Sequence, residues 1–430
     1  MDAADHKFMA QLVRSVTDAC RVPSGEEVRP GVSNELAFTV VRPAGKAGYP
    51  AIWVQDFTMI FSGGHLSHNE GLNHLRLFLQ CQNGNQRRDL QNGAWIPPHA
   101  IPDHVRFDGK PVFFPGTYSA DDDQGGEPWG ITPPFNNPYD LIWLAHSLRT
   151  RPGTSDFLRE EVDGTSVYAR LQKAYQVPTT DPHTGLVVTR AEERAVGFIF
   201  CDSIYMTGAL LMPSLLRIRA SRQMADLATF LGRDADAELY SEQAGQTAQH
   251  LSDTFVCEGD VGVWLQASTG ISCQPDVWGS IYAVYLNVLP PDTRSAVLLE
   301  LVNALRKGTI EWEGALRHVP LDRDASEQSA WERTPTPHNR YQNGAYWHMP
   351  TGWLISVLST AYPDWAKEVE DRFLDHMRKY AFTKGEPFGA PWECIGWGGQ
   401  ARQNPIFGPS ITVPYSTLMG PQDKRGPNYN

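Results

Sequence analysis

Apolar residues recur every three to four positions through most of this chain, the spacing of amphipathic helices. The pattern predicts helices over 5–20, 66–81, 138–149, 156–175, 198–220, 221–232, 234–255, 277–288, 291–306, 344–360 and 364–381. Within these, 203–218 (SIYMTGALLMPSLLRI) is almost wholly apolar and reads as a helix covered on every side. Segment 234–255 is polar along one face, as an outer helix should be. Segments 277–288 and 291–306, joined at Pro290 and Pro291, read as an inner and outer pair. Two stretches break the pattern. Residues 30–65 are strand-like and turn-rich, ending at Ala51-Ile52-Trp53-Val54-Gln55-Asp56-Phe57. Residues 82–135 are dense in Gly, Pro, Asn and Asp, and so long an irregular excursion reads as an ordered, functional loop.

About eleven or twelve helices, mostly in hairpins, imply an all-α chain. No fixed period of solenoid length is visible, and no low-complexity linker interrupts the series. A single (α/α)6 barrel over 1–430 fits, with 419–430 as a flexible tail. In such a barrel the joints between helices gather at one end and form a cleft.

Composition narrows the partners. A net charge of -12 argues against nucleic-acid phosphates, which call for a basic surface. No apolar run approaches membrane-spanning length, and the amphipathic N-terminus lacks a signal-peptide core, so a cytoplasmic location is expected. The six cysteines are scattered without a CxxC pair, and reduced thiols are expected. Thirteen tryptophans are more telling, because many stand beside Gly, Pro, Asp or Glu. As a group they suit a cleft that stacks on flat, partly apolar ligands such as sugar rings.

Phosphate-binding, dinucleotide, nucleophile-elbow and zinc-protease motifs are missing from the sequence. His65 and His68 lack a third ligand, and Asp121-Asp122-Asp123 lacks calcium-loop spacing, so neither metal nor cofactor is expected. What stands out is carboxylates set among aromatics and glycines. Asp202 lies in Ile199-Phe200-Cys201-Asp202-Ser203-Ile204-Tyr205 and reads either as an N-cap or as an acid kept protonated by an apolar setting. Glu393, in Pro391-Trp392-Glu393-Cys394-Ile395-Gly396-Trp397, sits in a rigid, ring-flanked turn. Asp56 follows Trp53 and suits gripping sugar hydroxyls, while Glu311 and Glu313 flank Trp312 as reserve catalytic candidates. Tyr341-Gln342-Asn343-Gly344-Ala345-Tyr346-Trp347 reads as a sugar-subsite strip, and Trp129, Trp392 and Trp397 as further stacking candidates. Two carboxylates of unlike environment are what glycoside hydrolysis requires.

These segments resemble the six-hairpin glycosidase superfamily, which includes glucoamylases, alkaline/neutral invertases, processing α-glucosidases and glycogen-debranching glucosidases. Trp53-Val54-Gln55-Asp56-Phe57 is similar to that group's W-x-R-D-F segment, whose Asp binds the sugar in the cleaved subsite; Gln55 stands at the Arg position. Cys201-Asp202-Ser203 is similar to the I-D-S segment of the invertase branch, and the resemblance implies that Asp202 is the general acid. Tyr341–Trp347 resembles the Y-x-N-G-x-x-W tract of debranching-type members, and Asp181–Leu186 a D-x-x-x-G-L turn. A late Glu as base is a habit of the group, which points to Glu393. The likeness runs from about 36 to 418 and implies an inverting glycosidase acting on a carbohydrate. Two other readings stay open: another (α/α)6 carbohydrate enzyme, an epimerase or uronyl hydrolase, and a non-catalytic sugar-binding member.

Overall fold

In chain order the helices are α1 (Ala3–Cys20), α2 (Val54–Ser62), α3 (His68–Gln80), α4 (Asn136–Arg149), α5 (Val167–Tyr175), α6 (Leu211–Phe230), α7 (Asp234–Gln249), α8 (Leu251–Phe255), α9 (Val277–Tyr285), α10 (Pro291–Lys307), α11 (Thr351–Ala361), α12 (Pro363–Tyr380) and α13 (Pro409–Leu418). They come from a computed structural model that describes residues 1–45, 49–116, 125–126, 129–151, 156–195, 199–270, 273–323, 334–399 and 401–419. Six helices form a closed inner ring: α2 packs on α4, α4 on α6, α6 on α9, α9 on α11, α11 on α13, and α13 back on α2. The outer helices lean on that ring, α1 on α13, α3 and α5 on α4, α7 on α6, α10 on α9 and α12 on α11. This is the (α/α)6 barrel.

Burial explains which helix goes where. Helix α2 buries every residue from Val54 to Phe61, and α9 every residue from Val277 to Val284, so neither has a solvent face. Helix α12 instead buries Ala366, Val369, Phe373, Leu374 and Met377, one stripe at helical spacing, and turns charges outward. One contiguous hydrophobic cluster runs from Met9 to Val413. Among the described residues the paired strands are antiparallel and short, and they brace the joints between helices.

Several sequence expectations are corrected. Residues 198–220 and 221–232 are not two helices: the described residues from Ile199 to Leu210 are non-helical, and α6 then runs unbroken to Phe230. The apolar run is a buried loop followed by a buried helix, and hydrophobicity alone cannot separate them. Segment 156–175 opens with a single 3-10 turn, Phe157–Arg159, and a hairpin, Glu161–Val162 against Thr165–Ser166, and is α-helical only from Val167. The tract 344–350 precedes α11 and is not part of it. Two ring helices escape the pattern, α2 inside the strand-like stretch and α13, which carries Pro409 and Pro414. All six cysteines are free thiols, and among the described residues no helix is long and apolar enough to cross a membrane. Residues 420–430, most of the expected tail, lie outside the described residues, as do Asp121, Asp122 and Asp123.

Candidate active site

The end of the ring at which the inner helices begin carries a narrow pocket. Its walls come from separate joints: Trp53, Gln55 and Asp56 at the start of α2, Asn136 at the start of α4, and Asp103 from the irregular excursion. Phe200 and Asp202 precede α6, Tyr341 precedes α11, and Glu393 precedes α13. Tyr49 completes the lining. Helix N-termini carry partial positive charge, which helps four carboxylates share so small a space. The free volume is about 40 Å³, room for a water beside the carboxylates.

Glu393 is buried on the strand Trp392–Ile395, and three donors hold it. Tyr49 donates to Oε2 at 2.6 Å and Tyr341 to Oε1 at 3.2 Å, while the Asn404 amide also donates to Oε2. Burial pushes its pKa up, and these three hydrogen bonds oppose the rise by favouring the ionised form. Asp202 has a different setting. Gln342 Nε2 donates to its Oδ2 at 2.8 Å, and Gln342 Oε1 in turn accepts from Ser203 N at 2.8 Å and Ser203 Oγ at 2.9 Å. Burial raises the Asp202 pKa to about 7, reinforced by the charges of Asp103 and Glu393 against the single bond from Gln342. Asp56 is also driven well above the usual range, by burial first and then by Glu393, Asp202 and Asp103. The pocket therefore pairs a carboxyl that holds its proton near neutrality with one whose charge is supported by three donors.

Backbone strain gathers here. Ile199 (φ 66°) and Phe200 (φ 52°) lead into Asp202, while Tyr341 (φ 44°) and Asn404 (φ 42°) both donate to Glu393. Left-handed conformations at such residues cost on the order of 1–3 kcal/mol each and cluster at functional sites.

Of the residues singled out in the sequence, Asp202, Glu393, Asp56, Trp53 and Tyr341 meet in this pocket. Gln342 stands behind Asp202, and Asn343 is buried, donating to the Thr336 carbonyl at 2.8 Å. Others lie elsewhere. Trp347 is fully buried beneath Phe200, ring centroids 4.9 Å apart, and does not line the pocket. Trp392 is likewise buried, packed against Tyr380, His376 and Arg402. Trp397 is 51% exposed and stacks on Tyr346, and the Trp129 indole packs against the Gly116 backbone; neither lines the pocket. Glu311 and Glu313 line a separate groove. Asp202 is not an N-cap, because α6 starts at Leu211. Sequence reasoning missed Asp103 and Tyr49, which occupy loops where polar residues are ordinary, Asn136, the first residue of α4, and Asn404, on a short strand paired with that of Glu393. Asp103 accepts from the Asn137 amide at 3.4 Å and is bonded at 2.8 Å to Nδ1 of His104, whose ring stacks on Trp53 at 4.3 Å. Among the described residues no group of three or more His, Cys, Asp or Glu is arranged to hold a metal ion.

No protein-family profile and no curated protein sequence matches the chain. Solved structures do resemble it. A GH63 mannosylglycerate hydrolase from Thermus thermophilus, in complex with glucose, superposes at a TM-score of 0.57 and 14% identity, over 95% of this chain and 99% of its own. A glucoamylase from Saccharomycopsis fibuligera gives 0.58 at 12% identity, over 96% of this chain and 94% of its own. A rhamnose-bound rhamnosidase from Klebsiella oxytoca gives 0.56 at 10% identity, over 97% of this chain but 64% of its own. A ring of six inner helices closed by α13 on α2, superposable over nearly all of this chain on these solved structures, gives the chain an (α/α)6-barrel fold.

Proposed function

We propose that the chain is an inverting glycoside hydrolase acting on an oligosaccharide or glycoside, with Asp202 as general acid and Glu393 as general base. The observation that carries this is the unlike setting of the two carboxyls in one pocket. Asp202 keeps a proton to about pH 7 and donates it to the departing glycosidic oxygen. Glu393, its charge supported by Tyr49, Tyr341 and Asn404, takes a proton from a water as that water attacks the anomeric carbon from the opposite face. After turnover Asp202 is ionised and Glu393 protonated, and exchange with solvent resets both. Asp56 grips ring hydroxyls, and Trp53 supplies an apolar wall. The unliganded pocket has room for little more than a water, so a sugar ring enters only as the rim widens. The hydrolase names of the structural neighbours favour this chemistry. An epimerase would want histidines at the reacting carbon, and among the described residues none lines the pocket.

The test is the first-formed product. Proton NMR before mutarotation should show an inverted anomer, and Glu393→Gln should bind substrate while losing most turnover. A retained anomer would make one carboxylate a nucleophile and overturn the division of roles.

A further inference from the structure

The Glu311-Trp312-Glu313 motif takes no part in the pocket, yet it is built with care. It forms a hairpin, Glu311 opposite Leu316 and Trp312 opposite Ala315, with Glu313 (φ 47°) and Gly314 (φ 82°) as the two turn residues. Both left-handed, they make the turn that favours Asn-Gly, where a Glu is strained. Gly314 is required, since a Cβ there would come within 2.6 Å of the Phe373 backbone. Glu313 is held by two buried histidines: Nδ1 of His376 is 2.7 Å from its Oε2, and Nε2 of His348 is 3.1 Å from its carbonyl. A carboxylate only accepts, so the proton lies on His376 Nδ1, and its Nε2 is left buried without a partner.

This hairpin floors a groove of about 650 Å³ between the C-terminal halves of α10 and α12. That is within the range of small-molecule sites, on the order of 300–1,000 Å³. Around the half-buried Trp312, Arg372 is paired with Glu311 and Glu368 and Lys307 with Asp260, while Arg306 and Lys379 add donors and Glu313 and Asp375 acceptors. Such mixed charge suits neither a simple anion nor a simple cation. An indole rimmed by both donors and acceptors suits a ring with hydroxyls on its edge and an apolar face. The turn at Gly399 abuts one edge of the Trp312 indole, and the buried Tyr346 ring packs beside it, so the indole is held in place against the groove.

We propose that this groove is a second, non-catalytic binding site for a neutral oligosaccharide, seated on Trp312 and hydrogen-bonded by Glu313. It rests on the same expectation of a carbohydrate ligand as the catalytic reading but on different residues. The Glu393→Gln chain, with and without Trp312→Ala, is titrated with maltohexaose, cellohexaose, mannohexaose and laminarihexaose by calorimetry. Trp312→Ala should abolish one binding event or weaken it by on the order of tenfold or more, and Trp312→Phe should restore part of it. Turnover of small aryl glycosides by Trp312→Ala alone should match the unmodified protein. Binding unchanged by Trp312→Ala, or no Trp312-dependent binding of any of the four hexasaccharides, overturns the proposal. If Trp312-dependent binding persists while no glycoside is hydrolysed, the groove stands and the catalytic reading falls.

Discussion

Replacing the proposed acid, Asp202→Asn, should stabilise the fold while destroying its chemistry, and only above mildly acid pH. The Asp202 carboxyl has a pKa of about 7 against the usual 3.8, because burial and the charges of Asp103 and Glu393 disfavour ionisation. A folded-state value above the unfolded one means that the folded chain binds the extra proton between those limits. Stability therefore falls as pH rises from about 4 and levels off beyond about 7. The full penalty corresponds to ~4 kcal/mol, an order-of-magnitude figure at 1.36 kcal/mol per pKa unit. Asparagine carries no charge at any pH and still offers an oxygen to the Gln342 amide now 2.8 Å away. A melting entropy of about 2.1 cal/mol/K per residue over 430 residues makes ~4 kcal/mol worth roughly 4 °C in Tm. Differential scanning fluorimetry across the pH range measures it. The variant should match the parent at about pH 4 and melt several degrees higher at about pH 8. Equal Tm values at the higher pH, or an advantage confined to the lower, would refute the claim that Asp202 resists ionisation.

Tyr49→Phe removes the 2.6 Å donor from Glu393, a charge-assisted bond worth ~1.5–3 kcal/mol. With less support for its charge, Glu393 stays protonated to higher pH, so the acidic limb of kcat/KM should move up while the alkaline side changes little; an unmoved limb counts against Glu393 as base. Gln342→Leu removes the one hydrogen bond that favours ionised Asp202, so the alkaline limb should extend to higher pH as kcat falls by about ten- to a hundredfold from lost orientation. Trp347→Ala, which empties the support beneath Phe200, should cost ~3–5 kcal/mol in chemical denaturation; a loss of sugar affinity with stability intact would return Trp347 to the ligand.

Outer helices were legible because half of each meets water: the stripe Ala366, Val369, Phe373, Leu374, Met377 on α12 can be read directly. Inner helices were harder, for buried surroundings erase the polar half of the period. Val54–Phe61 looks like the end of a strand, and Pro414 inside α13 reads as a break. Ring closure depends on these two helices. Asp202, Glu393 and Asp56, which meet in the pocket, were visible because a carboxylate in an apolar setting is costly without a use. Asp103, Tyr49 and Asn404 gave no such signal, since their neighbours in sequence carry no apolar pattern that marks a polar residue as costly. Trp347 and Trp392 lie in the core rather than on the pocket wall, a placement that composition does not show, since it counts rings without saying where they face.

The aromatics that missed the pocket nonetheless explain how it persists. Ile199 and Ile406 are β-branched residues at φ 66° and 60°, where such side chains are true outliers. Conformations like these survive only where surroundings over-determine them. Phe200 is clamped on Trp347, which meets Trp278 edge-on, and Trp278 stacks on His318 at 3.5 Å. His318 Nε2 lies 3.3 Å from the Cys201 thiol, next to Asp202. On the other side the Ile406 carbonyl accepts from Gly45 N, and a Cβ at Gly45 would come within 2.9 Å of the Ile406 side chain. Residues around Asp202 and Glu393 are thus pinned by a dry ring layer below and a glycine contact beside them. Carboxyls on a relaxed loop could move apart and escape one another's charge. Held by strained backbone over a close-packed floor, they stay together, which keeps Asp202 buried and within reach of the charges of Asp103 and Glu393 that reinforce burial in raising its pKa.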